Sequence, residues 1–165
     1  MPDPSSAVYP FGDLLALARQ SWLGQMASRL AELGYDDYRR SDAAAVRRLR
    51  RGPVPVGRLG TFLGITRQAA KKVADGLRQR GYVTIQRDPE DARQFNVTLT
   101  AAGQEYASAV IAVIEQLNRE VTRRADLAEL TAADAVLRAA LFDDSTRQRA
   151  AWLPPPGAPP GPARS

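Results

Sequence analysis

The sequence predicts a mainly α fold with a small β-hairpin, an α+β arrangement in which most of the chain is helical. Three observations predict it. Two long segments, from Phe11 to Leu33 and from about Ala101 to Arg124, repeat apolar residues every three or four positions. Two short segments, YVTIQR and RQFNVTLT, alternate apolar and polar residues instead. Between the first helix and those strands, brief apolar stripes are separated by Gly34, Gly52, Gly64 and Gly81, which read as helix stops.

In chain order, the first helix carries Phe11, Leu14, Leu15, Ala18, Trp22, Met26, Leu30 and Leu33 and ends at Gly34. Ser41 and Asp42 offer N-caps for a second helix, Ala43 to Arg50, stopped by Gly52 and Pro53. A third, from about Val56 to Leu63, is glycine-rich (GRLGTFLG), and each internal glycine costs about 1 kcal/mol relative to alanine, so this helix is expected to be short or mobile. Thr66 caps a fourth helix to about Arg80, with Ala69, Val73 and Leu77 as the expected buried stripe. The strands follow, with Val83 and Ile85 facing Phe95, Val97 and Leu99, and Asp88 and Pro89 shaping the hairpin tip. Thr100 caps the long helix, and Thr131 with Asp134 resembles a capping box for a last helix, Ala132 to about Arg147. The expected order is α-α-α-α-β-β-α-α. Residues 1–9 and the Pro/Gly-rich tail 151–165 are expected to be disordered.

The chain has no cysteine and no histidine, which closes disulfide, thiolate, His-ligated metal and imidazole acid/base chemistry together. The first residues lack a secretory pattern, and no run is apolar enough for a membrane span, so the expectation is a soluble, cytoplasmic, nucleoid-associated protein without a membrane partner. Charge is segregated. Between Arg39 and Arg80 there are 12 Lys and Arg against two acids, whereas acids outnumber bases outside residues 39–93. Such a basic middle is the footprint of contact with a polyanion through one region.

The fourth helix has the residue types for reading duplex DNA. With its apolar stripe inward, Arg67, Gln68, Lys71 and Lys72 are expected to face outward, with Ala70 small enough for close approach. Arg and Lys donate to guanine O6 and N7, Gln pairs with adenine, and Thr66 with the free amides of the helix start suits a phosphate. RDPEDAR, residues 87–93, raises a different reading, in which Asp88, Glu90 and Asp91 hold a metal or act as acid and base. Three carboxylates on one exposed turn, without a calcium-loop pattern, make a poor cage. No catalytic residue, metal or cofactor is therefore expected.

The stretch LGITRQAAKKVADGLRQRGYVTIQRDPEDARQFNVTLTAAGQEY, Leu63 to Tyr106, resembles the winged helix-turn-helix of the MarR family of bacterial transcription regulators. GITRQA at the turn, LRQRGYV before the wing, Asp91 and Arg93 as the family's D-x-R, and LTAAG as its Leu-Thr-x-x-Gly occur in the right order. The resemblance implies a winged helix-turn-helix lobe (39–100) between a dimerisation helix (10–38) and C-terminal dimerisation helices (101–150). It also implies a homodimeric repressor on pseudo-palindromic double-stranded DNA. Helix Thr66 to Arg80 would enter the major groove, and the wing, with Arg87 and with Arg93 oriented by a salt bridge from Asp91, would reach the minor groove. Lys71 stands where the family often has a small hydroxyl residue, so base preference does not carry over.

The resemblance further implies a small aromatic or anionic effector between the dimer helices and the DNA-binding lobe. Arg19, Trp22, Met26, Tyr35 and Tyr38 are the candidates, although aromatic and Met residues at helical spacing more often serve as core or interface. The alternative to DNA binding is a winged helix whose basic surface holds an acidic protein partner.

Overall fold

A computed structural model describes residues 10–91, 93–151 and 153. The stretches expected to be disordered, 1–9 and most of 151–165, lie outside them. The element order is α1 (Phe11–Glu32), α2 (Asp42–Leu49), β1 (Val54–Pro55), α3 (Val56–Leu63), α4 (Arg67–Gln79), β2 (Val83–Arg87), β3 (Phe95–Leu99), α5 (Ala101–Thr122), α6 (Leu127–Ala139) and α7 (Asp144–Ala150). The strands form one antiparallel sheet in the order β1-β3-β2. β1 is absent from the sequence reading because two residues, one of them proline, carry no periodicity. Proline suits this edge position because it needs no inward donor.

The hairpin register sets Val83 opposite Leu99 and Ile85 opposite Val97, so the expected apolar face is built from directly facing pairs. It closes over a core in which Leu30, Val46, Leu59, Leu77 and Val110 are fully buried. At α4's end, Gly81 takes φ +79, a left-handed conformation that favours glycine, and the Tyr82 amide donates to Leu77 O at 2.9 Å. The chain is thereby turned straight from α4 into the wing.

LTAAG has a physical reason here. Thr100 Oγ1 accepts from the Gly103 amide (3.0 Å) and donates to Gly81 O (2.7 Å), while the Thr100 amide donates to Tyr82 O (3.0 Å). This capping draws the first turn of α5 so close to the wing that a Cβ on Gly103 would overlap the Tyr82 carbonyl. Gly60 of α3 is similarly placed. α3 is fully formed, and Gly60 is buried where a Cβ would lie 3.3 Å from Ala70 Cβ, so the glycine permits tight α3–α4 packing.

Two helix starts differ from expectation. Ser41 makes no side-chain cap on α2, and Asp42 is the first residue inside that helix, with its carboxylate turned into the core. Its Oδ2 accepts from Arg80 Nη1 (2.8 Å), Tyr106 Oη (2.7 Å) and the Arg39 amide (3.0 Å), and Oδ1 accepts from Arg80 Nη2 (3.1 Å). At the other end, the capping box is Asp126 with Glu129, which starts α6 five residues before Ala132. Thr131 lies inside α6, donating to Leu127 O at 2.7 Å. α6 stops at Ala139, and Asp143 caps a separate α7, so Leu141 and Phe142 fall between helices.

The N-terminal stripe is only partly used. Met26 and Leu30 are buried, whereas Leu14, Leu15 and Leu17 are exposed. α6 buries none of its residues, leaving Val136 and Leu137 in solvent, and Phe142 beyond it is 86% exposed. α1 is fixed to α5 by Arg29, whose two terminal nitrogens donate to the two oxygens of Glu120 at 2.8 Å each.

Asp42→Ala is expected to cost about 3–5 kcal/mol in denaturant unfolding, because Arg80 would be left as a buried charge without its partner. Gly103→Ala is expected to cost roughly 1–3 kcal/mol by overpacking. Midpoints equal to wild type would contradict these assignments.

Candidate nucleic-acid interface

The site is assembled around α4. Thr66 caps the helix as its sequence position suggests, Oγ1 accepting from the Ala69 amide at 3.1 Å. Arg67, Gln68, Lys71 and Lys72 are exposed on the outward side. Ala70 is not: it is completely buried, and the buried stripe runs through Ala70, Ala74 and Leu77, with Ala69 and Val73 only half-buried. The stripe is rotated because α4 packs closely against Gly60 of α3 as well as against the hydrophobic core, and the small alanines fill the narrow gap. Ala70 therefore holds the helix in place and offers no surface to a ligand.

α4, the start of α3 and the wing enclose an open groove of about 880 Å³. Its α4 wall presents Arg67, Gln68, Lys71, Asp75 and Arg78. Val56, Gly57 and Arg58 form one end, and Ile85, Gln94 and Phe95 the wing side. Four cations thus line the groove against one acid among the described residues. The sequence reading missed Arg58, Arg78, Gln94 and Phe95 as site residues. The two arginines lay within the basic run, and Phe95 was read as core because it shares the face of Val97 and Leu99. It sits at the outer end of that face, 43% exposed, with the Arg87 guanidinium 5.6 Å from its ring centroid.

The wing tip is a turn held by its own carboxylates. Asp88 Oδ1 accepts from the amides of Glu90 (2.8 Å) and Asp91 (3.2 Å), and Oδ2 accepts from Asn96 Nδ2 (2.7 Å). Asp91 was expected to form a salt bridge with Arg93. Its Oδ1 instead accepts from the Arg93 backbone amide (3.0 Å) and its Oδ2 from Gln94 Nε2 (2.8 Å), with no Asp91–Arg93 ion pair among the described residues. The expectation rested on an extended strand placing positions two apart on one face, but the strand ends at Arg87, Pro89 and Glu90 lie in a bend and Arg93 in a turn. The Glu90 amide, the Asn96 side chain and the Asp91 amide hold Asp88 below the usual carboxylate range, and the Gln94 side chain and the Arg93 amide do the same for Asp91.

α4 and the wing are joined at Arg80. Its side chain is 11% exposed and that of Asp42 1% exposed, so Arg80 leaves the basic surface and becomes a structural charge. Burial is the largest influence and works against that charge, but the hydrogen bond to Asp42 and the charges of Asp42 and Asp37 together outweigh it, leaving the pKa raised. Tyr106 stacks on Tyr82 (4.2 Å, 10°) and lies tilted against Tyr35 (5.1 Å, 52°). Burial and the hydrogen bond from Tyr82 to Asp37 push the Tyr82 hydroxyl up to about 12.

The residues singled out for an effector are not equivalent. Met26 is 1% exposed within the core, and Tyr35 packs against Tyr106. Tyr38 and Trp22 are half-buried against the core, and Arg19 is exposed on α1. Met26 is thus structural in this chain, which leaves Arg19, Trp22, Tyr35 and Tyr38 with surface to offer.

Residues 37–94, which include α2 to α4 and the wing up to its tip, match the model of the MarR family. Residues 37–94 carry a MarR-type winged helix. The crystal structure of a probable transcriptional regulator from Pseudomonas aeruginosa is 27% identical, covers 78% of this chain and 94% of its own, and superposes with a TM-score of 0.66. A mutant MarR from E. coli complexed with operator DNA is 20% identical, covering 84% of this chain and 99% of its own with a TM-score of 0.69. BpsR of Bordetella bronchiseptica, solved to explain regulation of its DNA binding by 6-hydroxynicotinic acid, is 21% identical, covering 87% and 99% with a TM-score of 0.67. The last two establish a shared MarR fold. No curated protein matches the chain significantly. Among the described residues, no helix is long and apolar enough to cross a membrane.

Because both wing aspartates are depressed, their contribution to tip order is complete above about pH 4, the ordinary aspartate value, and is lost as pH falls through the lowered values. Carboxylate titration by NMR is expected to place both midpoints below that value, and Asn96→Ala to raise the Asp88 midpoint. Ordinary midpoints for both would refute the tip geometry.

Proposed function

We propose that this chain is a sequence-specific double-stranded DNA-binding transcription regulator of the MarR type, acting as a repressor. The observation that carries the proposal is the cation-lined groove between α4 and the wing, at the capped start of a rigidly seated helix. The operator complex of the E. coli relative supports the same use of the fold. In this reading Arg67, Gln68, Lys71 and Lys72 face the major groove, and Thr66 with the first amides of α4 meets a phosphate. Arg58 holds the backbone that crosses the groove, and Arg87 and Arg93 reach the neighbouring minor groove. Asp91 shapes the tip and does not orient the Arg93 guanidinium directly.

The unit is a two-fold homodimer. Leu14, Leu15 and Leu17 of α1, Val121 of α5, and Val136 and Leu137 of α6 supply apolar surface that a second copy would cover. An effector of the aromatic-anion class is supported by the BpsR relative, with Arg19, Trp22, Tyr35 and Tyr38 as candidate contacts.

Duplex binding is the test. Affinity for genomic fragments is expected to fall with salt at a log–log slope of about −0.9 per phosphate neutralised. Arg93→Ala is expected to weaken binding to all sequences, whereas Arg67→Ala or Gln68→Ala shifts which sequence is preferred by about 1–3 kcal/mol of discrimination. No duplex binding at low salt would sink the proposal.

A further inference from the structure

Asp75 is the acid in a groove otherwise lined by Arg58, Arg67, Lys71 and Arg78. It holds two of those cations at once. Lys71 Nζ donates to Oδ2 at 2.6 Å, and an Arg78 terminal nitrogen lies 3.2 Å from Oδ1. Its side chain is only 25% exposed, against 67% for Lys71 and 55% for Arg78, so the carboxylate sits between the two cations and lower than either.

Helix stability does not account for this placement. Exposed ion pairs contribute little, and although the Asp75–Arg78 pair has the favourable acid-first order, the i,i+4 pair with Lys71 N-terminal to the acid has the less favourable one. The electrostatic effect on a polyanion is larger. Non-specific affinity follows the number of phosphates that free cations neutralise, and a carboxylate facing the same surface repels phosphate. Lys71 held by Asp75 can still donate to an acceptor on a base edge, which does not repel the carboxylate as a phosphate does.

We infer that Asp75 is a specificity-determining positioning residue: by holding Lys71 and Arg78, it lowers binding to arbitrary duplex DNA and keeps Lys71 available for base edges. The inference rests on the regulatory reading above. Removing the charge while keeping the shape should free two cations for phosphates.

The experiment compares wild type, Asp75→Asn and Asp75→Glu by fluorescence anisotropy over a range of salt. The probes are a duplex enriched by the wild-type chain from a random-sequence pool and a scrambled duplex of the same composition. Asp75→Asn is expected to bind the scrambled duplex about three- to tenfold tighter, with a salt slope steeper by roughly 0.9–1.8, corresponding to one or two added phosphates. Its enriched-to-scrambled ratio should fall by a similar factor, while its thermal melt stays at the wild-type value. Asp75→Glu, which keeps the charge, should restore the ratio. If the wild-type chain discriminates between the probes and Asp75→Asn retains its ratio and slope, the inference is overturned and the regulatory reading stands. Failure of Asp75→Glu to restore the ratio would likewise overturn it. A wild-type chain that enriches no duplex would overturn the regulatory reading, and the inference with it.

Discussion

The ion pair between Asp42 and Arg80 is the contact on which the placement of α4 depends. It joins the first turn of α2 to the end of α4, and Tyr106 brings α5 to the same carboxylate. A charge pair so deeply buried is costly to form, and its two members tolerate burial only because nearly every acceptor and donor is satisfied. Arg80 Nε donates to Gly76 O and Nη1 also to Asp37 O, so the guanidinium is held from its own helix and from the α1–α2 connection. The Tyr82–Tyr106 stack then fixes the start of the wing against α5. Helix, wing and long helix thus share one anchor, which sets the relative placement of the two walls of the groove between α4 and the wing.

Around that anchor, local chemistry shapes each part of the groove. Thr66 satisfies one amide of α4 and leaves others at the helix start, where the dipole favours an anion. Asp88 and Asp91 direct their carboxylates to hydrogen bonds within the wing, so among the described residues neither forms an ion pair with Arg87 or Arg93. Ala70 and Gly60 allow α3 and α4 to approach closely, which brings Arg58 to the same groove as Arg67. The acids in this lobe act on shape or on neighbouring cations, so the surface remains positive.

Away from the lobe the balance reverses. α6 has capped ends and no buried residue, and the outer half of α1 holds its leucines in solvent. Local helix signals were strong enough to form these elements, but the described residues of one chain do not supply the surface to cover them. The proposed homodimer gives that apolar area a partner, and it explains why two ends rich in helix signal flank a lobe that is already packed.

Much of this was legible in the residues. Periodicity gave α1, α4 and α5, alternation gave both hairpin strands, and Thr66 and Thr100 cap where their spacing to the following helices indicated, because these are interactions within a few residues. The order of motifs from Leu63 to Tyr106 pointed to the winged helix that residues 37–94 contain. The misreadings arose where a local pattern had two solutions or a distant partner intervened. Thr131 and Asp134 imitate a capping box, but Asp126 and Glu129 form one five residues earlier; Asp42 looks like a cap until Arg80, 38 residues away, claims its carboxylate. The sequence by itself determined the helices, the hairpin and the concentration of positive charge, since each depends on near neighbours and composition. Only the tertiary structure decided which cations remain on the surface, which face of α4 is buried and which acid sits among the groove's arginines, because those outcomes depend on side chains that meet only when distant segments pack.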